Sequence, residues 1–203
     1  MKSLLCLSMF LISTISFAEF LPTSFSAKFE QEYISSLKGK VKKGRGSIDY
    51  KYPGNIRFET ETPSHILFVT NGKKTWYYTF PFIEGEMGEL STDSNQRGSS
   101  MFTKFFDSLK NGLTSNNLYE VKQEKDLFLV SFKPASSKDM GLKAARLKFI
   151  NISKPDFNTL ESIELVFPDN KKSLMKLSEI KLNTKFDETF FVFTAPKNTK
   201  VIK

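Results

Sequence analysis

Apolar and polar positions alternate along most of the chain, and that period of two predicts strands. In "SFSAKFEQEYI" (Ser24–Ile34), Phe25, Ala27, Phe29, Gln31 and Tyr33 fall on one side. "NIRFETE" places Ile56, Phe58 and Thr60 on one face and Arg57, Glu59 and Glu61 on the other, as a strand wetted on one side does. Between them, "LKGKVKKGRG" reads as a glycine-punctuated basic hairpin, and "SIDYKY" leads into a Pro53-Gly54 turn. After Pro63, "HILFVTNGKKTWYYTF" reads as two strands joined at Asn71-Gly72, a pair suited to the positive-φ positions of a tight hairpin. The second of these strands carries Trp76, Tyr77, Tyr78 and Phe80, so large rings lie on both of its faces.

Residues 83–100 are polar and rich in turn formers. They precede the one clear helical pattern, "SSMFTKFFDSLKNG", in which Met101, Phe102, Phe105, Phe106 and Leu109 share a face. Ser99 or Ser100 can cap its start and Gly112 can end it. Strand patterns then return in "LYEVKQE", "LFLVSFK", "AARLKFINI", "TLESIELVF", "SLMKLSEIKL" and "TFFVFTA". Lys125-Asp126 and Asp169-Asn170 sit at hairpin turns, and residues 134–143 form a loop with room for a short helix. About ten or eleven strands at regular spacing, with one or two helices, predict a mainly β fold: an antiparallel barrel or a strongly curved sheet.

The first residues change where that fold begins. Lys2, the apolar run "LLCLSMFLISTI" and the small residues Ser16 and Ala18 make a cleavable export signal, cut after Ala18. The run is too short for a membrane span, and no later segment is longer. Residues 19–203 are then a single domain. The only cysteine, Cys6, leaves with the signal, so the mature chain has neither disulfide nor lipid-attachment thiol. Such a chain suits the periplasm.

Composition adds two facts. Of 203 residues, 21 are Phe, which supply strand formers and a large apolar surface. The formal charge of +8 falls by one with Lys2, to +7, and favours acidic partners; export excludes nucleic acid. Lys38, Lys40, Lys42, Lys43 and Arg45 concentrate that charge in a candidate docking patch. Catalytic patterns are absent. His65 is the only histidine, and Glu84, Glu86 and Glu89 lie in a polar loop instead of facing each other across a cleft. No enzyme activity, metal or cofactor is expected.

The run from Gly44 to Tyr78 resembles the periplasmic lipoprotein carrier family, LolA. Gly44, Gly46, Pro53, Phe58, Gly72, Trp76 and Tyr78 stand at the family's pattern positions, and "FVFTAPKNTKVI" resembles its closing strand through Phe193, Thr194 and Pro196. The resemblance implies an incomplete barrel whose helices cover a hydrophobic cavity for lipoprotein acyl chains. It implies transfer from an inner-membrane lipoprotein-releasing ABC transporter to an outer-membrane receptor, where one is present, by a protein expected to act as a monomer. Ile56, Phe58, Trp76 and Tyr78 become candidates for the cavity wall. Met101, Phe102, Phe105, Phe106 and Leu109 become candidates for the lid. Two departures stand out. The family's leading helix has no counterpart in "EFLPT", and its arginine before the proline, a latch on the lid, is Tyr52 here. The competing reading is a periplasmic envelope-binding module that docks anionic lipid or glycan through the basic hairpin without an acyl cavity.

One expectation is checked directly. N-terminal sequencing of exported protein should begin at Glu19 with a free, unacylated amine; an intact Met1 or an acylated terminus contradicts it.

Overall fold

The structure, a computed structural model, describes residues 20–34, 40–93 and 101–202. The expected cleavage site, Lys38 and the serines before the helix lie outside them. One sheet holds twelve strands: β1 (Ser24–Ile34), β2 (Val41–Lys51), β3 (Asn55–Thr62), β4 (Ile66–Asn71), β5 (Thr75–Thr79), β6 (Gly88–Asp93), β7 (Tyr119–Glu124), β8 (Leu127–Phe132), β9 (Ala144–Phe149), β10 (Leu160–Val166), β11 (Lys172–Leu182) and β12 (Thr199–Ile202). Their order is β12-β6-β5-β4-β3-β2-β1-β11-β10-β9-β8-β7, an open arrangement that ends at β12 and β7. Neighbours pair antiparallel except β12, which runs parallel to β6. The mainly β content predicted from the alternation is therefore present, and the sheet is unclosed, as the resemblance implied.

One predicted strand is not. Residues 189–195, "TFFVFTA", run as turns and irregular backbone. Phe191 is buried there, with Phe186, Phe190, Phe193 and Ala195 packed around it, against Leu67, Val69, Trp76, Tyr78 and Leu90. A run with so many apolar residues reads as a buried strand, yet the same residues cover a sheet face equally well as an irregular arm.

The main core lies on the opposite, concave face under α1 (Met101–Leu109). Phe102 stacks on Phe58 of β3, Phe106 meets Phe25 of β1, and Phe105 meets Phe132 of β8. One short helix touches strands this far apart only because the sheet curls around it. The second helix, α2 (Pro134–Met140), flanks α1 through a Lys104–Asp139 ion pair at 2.7 Å. The short leading segment closes one end. Leu21 is fully buried and Phe20 sets its edge against Phe149 and Phe157.

Tyr50 and Tyr119 bond the second half of α1 to the sheet. Asp107 accepts from the Tyr50 hydroxyl at 2.7 Å and the Gly54 amide at 3.2 Å. The Tyr119 hydroxyl donates to the Gly112 carbonyl at 2.6 Å, with the Ser108 carbonyl at 3.2 Å, so a strand side chain ties down the end of the helix and the turn after it. Burial pushes that phenol above its ordinary pKa, which keeps it a donor. At β7 the Asn116 amide donates to the Tyr119 carbonyl, the Asn116 side chain accepts from the Tyr119 amide, and the Ser115 hydroxyl accepts from the Val121 amide. The connection after α1 thus occupies part of the outer edge of β7.

Gly46 shows why the sequence needs a glycine inside β2. It faces Phe29 across the ladder, and the Phe29 ring lies over it to stack on Phe58 at 4.6 Å. Phe58 stacks in turn on Phe102 at 4.9 Å, giving three parallel rings from β1 through β3 to α1. A Cβ at Gly46 would run into the Glu59 carbonyl and come within 2.9 Å of the Phe29 ring.

Two outcomes follow. Gly46→Val should destabilise the fold by roughly 1–3 kcal/mol, the range of overpacking, as read from urea unfolding. Asp107→Ala should cost a similar amount, about 1–3 kcal/mol, by leaving Tyr50 without its charged acceptor. It should also speed hydrogen exchange in α1 more than in β9 and β10; equal acceleration throughout contradicts the anchoring role.

Candidate functional site

The register of β3, β4 and β5 decides which rings share a face. Phe58 stands opposite Phe68, and Phe68 opposite Tyr77. Arg57 stands opposite Val69, and Val69 opposite Trp76; Glu59, Leu67 and Tyr78 continue that second series. The four wall candidates are thereby divided. Ile56 and Phe58 look into the concave face, whereas Trp76 and Tyr78 lie buried on the other, beneath the 186–195 arm. Tyr78 packs at 5.1 Å from Phe193, and its hydroxyl occupies the space a side chain at Gly88 would need. Rings on both faces of β5 thus serve two separate layers.

The lid candidates divide too. Phe105, Phe106 and Leu109 are fully buried core residues. Met101 and Phe102 are half-buried, at the end of α1 where the three-ring stack meets the uncovered part of the face. Tyr52 is largely exposed and places its ring 5.2 Å from the Lys110 ammonium, a cation–π contact just past the end of α1. The hydrogen bond from sheet to helix comes instead from Tyr50, two positions earlier and on the inner face.

The described basic residues do not share one face. Lys43 pairs with Glu32 at 3.2 Å and Arg45 with Glu61 at 3.5 Å, both on the outer face. Lys42 faces the other way, directly opposite Tyr33, and Lys40 is exposed.

Beyond α1 the concave face stays open. Phe68 and Ile66 are half-buried and Tyr77 is 44% exposed. At this end lie two adjoining cavities, of about 510 Å³ and about 220 Å³, with Gln31 and Tyr33 in the lining of both. The larger falls in the roughly 300–1,000 Å³ range of small-molecule sites. Gln31 donates to the buried Ser173 hydroxyl at 2.8 Å between them. Phe68 and Tyr77 had a legible signal. A two-residue hairpin at Asn71-Gly72 pairs Thr70 with Lys73, so even positions before it share a face with odd positions after it. The structure's longer turn, from Asn71 to Lys74, keeps that parity by pairing Thr70 with Thr75.

Residues 22–194 match the family described as outer membrane lipoprotein carrier protein LolA. An outer-membrane lipoprotein carrier protein of Coxiella burnetii is 23% identical over 180 residues, covering 89% of this chain and 81% of that protein. Its counterpart in Photobacterium profundum is 28% identical over 181 residues, covering 89% and 83%. A LolA superfamily protein of solved structure from Nitrosomonas europaea is similar over 85% of this chain and 92% of its own, at 14% identity and a TM-score of 0.43. With the family match spanning most of its length, the chain belongs to the outer membrane lipoprotein carrier protein LolA family.

Proposed function

We propose that this protein shelters lipoprotein acyl chains on the uncovered part of its concave face. It carries them through the periplasm from an inner-membrane ABC transporter to the outer membrane. The observation that carries the reading is the series Phe102, Phe58, Phe68 and Tyr77, an aromatic surface that runs out from the core and beyond the cover of α1. Each methylene withdrawn from water is worth ~0.8 kcal/mol, so a long acyl chain represents on the order of 10 kcal/mol. A lipoprotein does not cross an aqueous space with that surface bare. Transfer needs no covalent step. Release requires an acceptor with a better apolar site and a cover that moves, and the Met101 end of α1, away from the Asp107 and Tyr119 bonds, is the end suited to move. Among the described residues no helix is long and apolar enough to cross a membrane.

Mass spectrometry of protein isolated from the periplasm tests the cargo: a lipoprotein bound in stoichiometric amount is expected, and its consistent absence counts against the reading. Mutagenesis tests the face. Tyr77→Glu should weaken binding of a fluorescent acyl probe by roughly ten-fold or more, because a carboxylate next to the chain is disfavoured, and leave the melting temperature nearly unchanged. Trp76→Ala, one residue away on the other face, should do the reverse, costing about 3–5 kcal/mol of stability with intact probe binding in the folded fraction. The opposite pattern would place the site beneath the C-terminal arm.

A further inference from the structure

The two cavities at the open end differ in chemistry. Phe167, Pro168 and Tyr33 supply the apolar part of the larger, whose lining also holds the charged Asp169, Lys171 and Lys172. The smaller is lined by Lys42, Thr60, Ser64 and Ile66, together with the shared Tyr33 and Gln31. Its lining residues carry an ammonium, three hydroxyls and an amide, a donor-rich set beside the apolar strip that Tyr33, Phe167 and Pro168 give the larger cavity.

Strand alternation isolates that ammonium. The neighbouring cations of β2 point outward, where Glu32 and Glu61 neutralise them. On the far side of that strip, Lys171 is paired with Asp169 at 2.7 Å and Lys172 with Glu164 at 3.2 Å. Lys42 holds no ion pair with a described residue, and the side chains of Tyr33, Thr60 and Ser64 hold no hydrogen bond among the described residues. Acyl chains in ester or amide linkage carry no charge and leave this cation unanswered. A carboxylate head answers it with a charge-assisted hydrogen bond.

We propose that this end of the concave face is a site for a free fatty acid. Its chain lies along Tyr33 and Phe167, and its carboxylate sits against Lys42. The proposal rests on the carrier reading in using the same face, and adds a preference for an anionic head that the carrier reading does not contain.

The probe is cis-parinaric acid, compared with its uncharged methyl ester at low ionic strength by fluorescence titration. Wild-type protein should bind the acid roughly ten-fold more tightly than the ester, the ratio a weak charge-assisted hydrogen bond gives. Lys42→Gln should abolish that ratio by weakening the acid alone. Lys43→Gln, which removes the same charge one residue away on the outer face, should keep it. Thermal melts of the three proteins should coincide, since both lysines are exposed. Equal binding of acid and ester by wild type overturns the headgroup site and leaves the acyl carrier intact. A preference that survives in Lys42→Gln overturns the assignment to Lys42. Failure of both probes to bind overturns the acyl-binding reading and this inference together.

Discussion

Coverage is the constraint on which this fold depends. Twelve strands at about 4.8 Å spacing make a sheet about 50 Å wide, whereas a nine-residue helix is about 13 Å long and about 10 Å thick. One such helix cannot cover one face of such a sheet. The chain meets the deficit in three ways. The sheet curls so that β1, β3 and β8 all reach α1. The leading Phe20 and Leu21 close one end. On the other face, an aromatic arm lies over β4 and β5. What remains uncovered is the end of the concave face near Tyr33 and Tyr77, so the candidate site is the remainder of an incomplete covering.

Much of the fold was legible because it rests on a period of two. The alternation in β1 and β3, the apolar face of α1 and the turn at Lys125-Asp126 appear in the structure as read. The losses have different physical sources. Trp76 and Tyr78 alternate correctly with Tyr77, but which series looks inward depends on the count of residues around the hairpin. Lys42 and Lys43 read as one basic patch until the strand turns them to opposite faces. The 189–195 run is rich enough in Phe to satisfy any apolar environment, so its pattern could not separate a strand from a packed arm. Tyr50, the residue that holds α1, gave no signal in sequence beyond its place on the inner side of β2; its role comes from Asp107, more than fifty residues on.

The helix combines two parts often treated as alternatives. Its second half is core, with Phe105, Phe106 and Leu109 sealed and Asp107 fixed to the sheet. Its first two residues are rim: Met101 and Phe102 are half-buried, and Phe102 is joined to the sheet by ring stacking. Stacked rings tolerate displacement and exchange of partners better than a directed hydrogen bond to a carboxylate does. Stability and access therefore reside at opposite ends of one element.

The occupied edge at β7 has a consequence for the molecule among its own copies. An unclosed sheet ends in two rows of backbone donors and acceptors, which invites one copy to extend the next into a fibre. Asn116 already takes both backbone groups of Tyr119, and Ser115 takes the Val121 amide. The opposite edge, β12, is four residues long and runs parallel to its neighbour. End-to-end growth would have to break the first set of bonds and make do with the second. A protein kept open enough to receive greasy cargo is in this way made a poor building block for amyloid.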